Sequence, residues 1–286
     1  MNKQNKAKIM LSFSMIIFGT IGLFSKSIAV TSGELALYRA ILAAILIGGY
    51  FLISGKKIDF KAIKKEIVLL LLSGMAMGIN WILLFESYKH TTISIATLSY
   101  YFAPVIVMVV CPFLFREKIT KKQLLCFVMS TLGLVLIIGF DGSNGGNNHI
   151  LGIMLGLGAA VFYATVILFN KFIKKVEGIH RTFLQFLAAI VILIPYVFLT
   201  GDLKIGELDP KGWICLLTVG LLHTGITYCM YFSAMKELKG QEVAILSYLD
   251  PLVAVLISVV ILGEPMTLVQ LLGGILILGF TLWNEK

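Results

Sequence analysis

Three ionisable side chains stand inside stretches of sequence that are otherwise apolar: Glu86, His223 and Asp250. Such groups are costly in hydrocarbon, so they face a protein interior or a water-filled cavity. Asp250 lies about 11 Å into its apolar run, counted from residue 243 at 1.5 Å per residue. His223 lies about 15 Å into another run, counted from residue 213 at the opposite surface. Across roughly 30 Å of hydrocarbon the two depths differ by about 4 Å, so both belong to one site if their faces meet. Desolvation favours a neutral carboxyl, whereas an imidazolium or a cationic ligand favours the charged one. A carboxylate in that balance can bind an amino group or exchange a proton. The expectation is that Asp250 does this and His223 tunes its charge. The competing reading is a structural hydrogen bond from Asp250 to backbone or a tyrosine.

Other polar residues at depth extend the candidate site: Arg39, Asn80, Trp81, Tyr101, Asn170, Gln185, Tyr228, Tyr231 and Tyr248. Each has a plainer alternative. Asn80 could bond a neighbouring helix, Lys26, Lys171 and Glu86 are close enough to run ends to snorkel, and aromatic residues near run ends are often interfacial anchors. Catalytic, cofactor and metal chemistry find no support. Paired histidines at metal spacing, an aspartate-rich cluster and a serine–histidine pair are all missing from the sequence, and Ser143 sits in a hydrophilic linker. Cys111, Cys126, Cys215 and Cys229 all lie within apolar runs, without zinc or disulfide spacing. No phosphate-binding glycine loop is present, which speaks against direct use of a nucleotide.

The elements that must position these residues follow from composition. Of 286 residues, 58% are hydrophobic and 14% charged, with a mean hydropathy of +0.95. A soluble domain carries about 25% charged residues, so this chain needs lipid as its solvent. The net charge of +9 is held in short clusters between apolar runs, which fits anionic lipid surfaces and excludes nucleic acid. Ten runs are long enough to cross a bilayer: 9–29, 34–53, 67–88, 94–115, 123–140, 151–172, 182–199, 213–235, 243–262 and 268–283. Because the first run leads directly into the second without a small-residue cleavage site, it is expected to be a helix and not a removable signal. Unbroken runs exclude an alternating β-barrel. With the N-terminus inside, 18 lysines and arginines fall in inside segments and three, Lys89, Lys204 and Lys211, in outside ones. That bias predicts a multi-pass protein of the cytoplasmic membrane with both termini and the 55–65 loop cytoplasmic.

An internal repeat orders the runs. A shift of 147 residues places Gly78 on Gly225, Trp81 on Tyr228, Tyr101 on Tyr248, Pro104 on Pro251, Glu117 on Glu264, Thr120 on Thr267 and Gln123 on Gln270. A shift of 145 places Phe24 on Phe169 and Lys26 on Lys171. Five runs per half is an odd number, so the second half (149–286) is inverted relative to the first (1–142), with the linker outside. The fold class expected is an all-α integral membrane protein of ten helices in two inverted five-helix repeats. Such repeats are a recurrent transporter plan with the site between halves near the midplane. Thr120 with Gln123 and Thr267 with Gln270 read as capping boxes, leaving Glu117 and Glu264 in the preceding turns as structural residues. Pro104 and Pro251 are expected to kink two cavity-lining helices and to act in gating. Asp250, His223 and Glu86 align with Ala103, Ala76 and Ser233. These three break the repeat, so the fold itself does not demand them.

The "LSYYFAP" and "LSYLDP" segments, the Glu117 and Glu264 positions and the Phe-x-Lys pairs resemble the drug/metabolite transporter superfamily, specifically its ten-helix EamA-type members. The resemblance covers nearly the whole chain. It implies a secondary transporter, commonly an exporter of amino acids and related metabolites, working by alternating access and not an enzyme. Arg39 fits the basic residue often seen in the second helix of that family, whereas the other half carries Leu184 or Gln185 at that level. The partners implied are a small molecule, membrane lipids, a coupling proton and a second copy of the chain. A membrane-embedded enzyme, a flippase for lipid-linked substrates and a channel-like subunit are the competing classes.

Overall fold

Unbroken apolar segments in lipid must satisfy every backbone N–H and C=O internally, and helices do this. The computed structural model describes residues 3–55, 60–115, 120–139, 147–176, 178–200, 203–235, 237–238, 243 and 246–285. Among them the chain makes ten helical passes and no strand. We label them α1 (Lys3–Ser25), α2 (Ser32–Ser54), α3 (Phe60–His90), α4 (Ile93–Tyr100 continuing as Ala103–Phe115) and α5 (Lys121–Gly139). The second half supplies α6 (Asn147–Phe172), α7 (Gly178–Thr200), α8 (Pro210–Leu217, Thr218–Ile226 and Thr227–Met235), α9 (Leu249–Ile261) and α10 (Leu268–Glu285). Seven of the helices are long and apolar enough to cross a membrane by themselves, and α9 and α10 are shorter apolar helices. Their outward faces are apolar too: Leu52, Ile53, Phe198 and Leu199 are among the most exposed side chains. A water-soluble protein would hide these residues. Here they meet lipid.

Helix ends are set locally. Thr31 and Glu34 form a reciprocal capping box at the start of α2. Thr120 with Gln123 and Thr267 with Gln270 form the two expected boxes, each threonine accepting from the glutamine N–H at 3.2 Å while the glutamine side chain accepts in return. Glu117 lies outside the described residues. Small residues bring the helices together. A Cβ on Gly133 would stand 2.6 Å from the Gly273 carbonyl, so α5 and α10 touch backbone to backbone. Gly74 of α3 meets the Gln185 carbonyl of α7, and Gly152 of α6 would meet Thr91 at 2.8 Å.

Two features differ from plain helices. The expected proline kinks are breaks instead. α4 is interrupted at Tyr101 and Phe102, and Pro104 is the second residue of the segment that follows. Pro251 is the third residue of Leu249–Leu256, after a turn at Tyr248. At a helix start the missing proline N–H would have no partner anyway, so each proline seeds a new segment at little cost. In α8, Thr218–Ile226 adopts the wider π register. Thr224 and Thr227 donate to the carbonyls five residues back, Val219 and Leu222, at 2.8 and 2.7 Å.

Candidate functional site

Every pass except α5 and α10 lines a central cavity of about 310 Å³. Three charged side chains line it, Arg39, Arg181 and Asp250. Arg39 of α2 is 3% exposed, its guanidinium 4.3 Å from the centre of the Trp81 ring and 5.2 Å from that of Phe85. Its Nε donates to Thr224 Oγ1 at 3.0 Å, which fixes the guanidinium against the rings. Across the repeat, Asp250 sits in the first turn of α9, where the unpaired N–H groups favour a carboxylate. The hydroxyl of Tyr101, at the α4 break, donates to Asp250 Oδ2 at 2.6 Å. Thus the break in one half-repeat places the partner of the acid in the other.

Aromatic rings form much of the remaining wall. Tyr100 stacks on Tyr163 with centroids 5.1 Å apart and meets Tyr101 edge-on at 5.7 Å. Tyr228 packs edge-on against Phe18 at 5.1 Å and Phe186 at 5.4 Å. A polar corner is built by Gln185, which donates from Nε2 to Asn170 Oδ1 at 2.7 Å and lies 2.6 Å from Ser73 Oγ. Arg181 opens α7 beside it, with NH1 3.4 Å from the Asn170 carbonyl. A molecule held here meets two guanidiniums, those of Arg39 and Arg181, one carboxyl and flat π faces. That combination suits a small ligand with a charged head and an apolar body.

The residues expected from sequence divide between this cavity and other places. Arg39, Trp81, Tyr101, Tyr228, Asp250, Asn170, Gln185 and Tyr231 all line it. The expected pairing of Asp250 with His223 is replaced by the Tyr101 bond. His223 lies outside the lining, 1% exposed, with Nε2 2.7 Å from Thr20 Oγ1 and Nδ1 3.1 Å from the Thr218 carbonyl. The π register of α8 turns it toward α1. Glu86 is at the end of α3, bonded to Ser32 at 2.5 Å and paired with Lys89 and His90 at 3.3 Å each. Asn80 is 2% exposed and donates to the Ala159 carbonyl at 2.6 Å, joining α3 to α6. Tyr248 belongs to an apolar pocket between α9 and α10, floored by Leu98. Pro104 and Pro251 stand just after the breaks at residues 101–102 and 248. Sequence reasoning passed over Tyr88, Tyr100, Tyr163 and Arg181. The repeat gives Tyr100 no signal, because the 147-residue shift places it on Ser247.

Cavity, break and inverted halves together define a membrane transport protein: a polar, aromatic chamber enclosed by helices whose outer faces are apolar. Comparison with known proteins agrees. The model of the EamA-like transporter family matches residues 5–139 and again 150–284, and the chain belongs to that family. A Bacillus subtilis (strain 168) protein called "Uncharacterized transporter YxxF" is 33% identical over 276 residues, 96% of this chain and 88% of its own length. A Salmonella typhimurium (strain LT2) "Probable amino-acid metabolite efflux pump" is 29% identical over 177 residues, 58% of each chain. One solved structure, 16% identical, superposes with a TM-score of 0.63 over 98% of this chain and 96% of that one, a likeness of fold. These relatives are transporters by name, and the family is one of transporters.

Proposed function

We propose that this protein is a secondary exporter, in the cytoplasmic membrane, of small amphipathic metabolites that carry an amino group, a carboxylate or both. Amino acids and related amines and carboxylates are the central class. The observation that carries the reading is the placement of Arg39 and Asp250 in one aromatic-walled cavity. Arg39 receives a carboxylate, Asp250 an ammonium, and the rings around Tyr100 and Tyr228 the apolar body. Alternating access is supported by the inverted halves, whose breaks at Tyr101 and Tyr248 offer each half a place to bend. Asp250 also serves as the carrier of a coupling proton, because a carboxyl that hands its proton to solution can take up an ammonium in its place. Both termini lie in the cytoplasm, supported by the lysine and arginine bias. Residues 1–142 and 149–286 are the two repeats of one membrane unit. The name of the Salmonella relative supports the substrate class.

Uptake and efflux in proteoliposomes, with and without a pH gradient, test this with a panel of radiolabelled amino acids, amines and carboxylates. Asp250→Asn keeps shape and hydrogen bonding but cannot titrate, so it should lose transport of amines and flatten the pH dependence. Arg39→Gln should lose carboxylates first. Transport by the Asn variant at the wild-type rate with an unchanged pH profile refutes the role of Asp250. A panel in which no amine or carboxylate is moved refutes the substrate class.

A further inference from the structure

The cavity ends at Tyr88. This tyrosine is 6% exposed and lines two chambers at once: the central cavity and a polar vestibule of about 510 Å³ at the end of the molecule that carries Lys26, Lys89, His90, His149 and Glu264. It is the residue common to the two linings, and its hydroxyl lies 3.5 Å from Thr97 Oγ1. In the wall of the vestibule three separate parts of the chain are tied to a single carboxylate. Glu264, in the turn between α9 and α10, pairs with Lys26 at the end of α1, accepts from the Ser258 hydroxyl and accepts from the Ile93 backbone N–H at 2.8 Å. Ser258 Oγ accepts from the Ser94 N–H at 3.2 Å. Ile93 and Ser94 are the first residues of α4, so the α9–α10 turn satisfies the open N-terminal donors of a helix from the other repeat. Glu264 is needed for more than its own turn, since the capping box there is already closed by Thr267 and Gln270.

The repeat places a matching set at the opposite end. Lys26 aligns with Lys171 and Ser258 with Cys111, and Lys171 Nζ lies 3.0 Å from Cys111 Sγ. In one half these two positions share Glu264 as a partner, and in the other they meet directly, once at each end of the inverted fold. We propose that Lys26, Glu264 and Ser258 are the gate residues that hold Tyr88 shut between cavity and vestibule, and that Lys171 and Cys111 do the same at the opposite end. The proposal rests on the alternating access proposed above and not on the substrate class. Opening the gate frees α4 from the α9–α10 turn, withdraws Tyr88 and joins the two chambers into one passage.

The test reads access to the cavity and needs no substrate, so a wrong substrate class leaves its result intact. Leu84, which lines the cavity, is replaced by cysteine in a chain whose four native cysteines are replaced, Cys111 by serine. An impermeant thiol reagent is applied to right-side-out and inside-out vesicles. Glu264→Gln should raise the labelling rate from the Lys26 side about tenfold, the effect of losing one charge-assisted hydrogen bond. Lys26→Met should act in the same direction, and the double variant should go no further than either alone, because one interaction is lost in all three. Lys171→Met should raise labelling from the other side. Unchanged labelling in both Glu264→Gln and Lys26→Met overturns the proposal, as does an equal rise from both sides, which marks a loosened fold. If Glu264→Gln does not fold, Lys26→Met and Ser258→Ala carry the same test.

Discussion

Glu66 holds a turn that the sequence alone would leave as a loose loop. Its Oε1 accepts from the backbone N–H groups of Lys174 and Lys175 at 2.9 and 3.1 Å, and its Oε2 from Lys175 and Val176 at 3.0 and 3.1 Å. The residue is only 8% exposed although it is charged. The turn joins α6 to α7, which bring Tyr163, Asn170, Arg181 and Gln185 to the cavity. Glu66→Ala leaves three N–H groups without their acceptor. At about 1 kcal/mol each, the low end for donors that water can still reach, the cost is about 3 kcal/mol. With a shift of roughly 2 °C per kcal/mol for a chain of this length, the melting temperature in detergent falls by about 6 °C. Glu66→Gln keeps one acceptor but turns an NH2 toward the donors, so it should lose about 1.5–3 kcal/mol. The same variants should open the backbone after Lys174 and Lys175 to trypsin, read as the first fragments on a gel. An alanine variant that melts within about 1 °C of the parent, with no faster cleavage at the turn, refutes this account of the carboxylate.

Gly133→Ala forces α5 from α10 and should cost about 1–3 kcal/mol by overpacking. Neither helix lines the cavity, so transport per folded molecule should stay at the parent value, measured alongside the melting curve. Asn80→Leu removes the donor to Ala159 and should cost about 1 kcal/mol with substrate affinity unchanged; a loss of affinity without a loss of stability makes Asn80 a ligand instead. Trp81→Leu removes the ring beneath Arg39 and should weaken carboxylate substrates more than amines in binding assays. Cysteine at Lys204 should react with an impermeant reagent in intact cells and cysteine at Lys64 should not, the reverse pattern inverting the topology.

Runs of about 20 apolar residues and the capping threonines were enough to locate ten helices, because both signals are local. The 147-residue shift gave the two halves, since aligned Pro, Glu, Thr and Gln are rare in a composition this apolar. The depth of Asp250 and Arg39 was legible for the same reason: each is a charged group where lipid allows few. What the sequence hid was direction. A 3.6-residue wheel assigns His223 a face, but the π register at Thr218–Ile226 spreads more residues over each turn and carries the ring round to Thr20. Tyr101 and Asp250 stand 149 positions apart, and only the way the two breaks pack against each other brings them to 2.6 Å. Tyr163 carries no signal that separates a cavity wall from ordinary packing. Its place depends on stacking with Tyr100, a contact between helices that no spacing within one helix records.

The single ring of Tyr88 has an electrical meaning. Water in the cavity on one side and in the vestibule on the other conducts, so neither sustains much of the transmembrane voltage. With the opposite end open, the drop falls across the short stretch at that side chain, and with the Tyr88 end open it falls at Lys171 and Cys111. Over one full cycle a charge carried from one side to the other crosses the whole potential, about 2.3 kcal/mol for each 100 mV. Zwitterionic cargo crosses it without net electrical work, whereas a lone cation leaving the cell against a negative interior works against all of it. Current recorded across a planar bilayer during turnover would thus report the charge of whatever passes that ring.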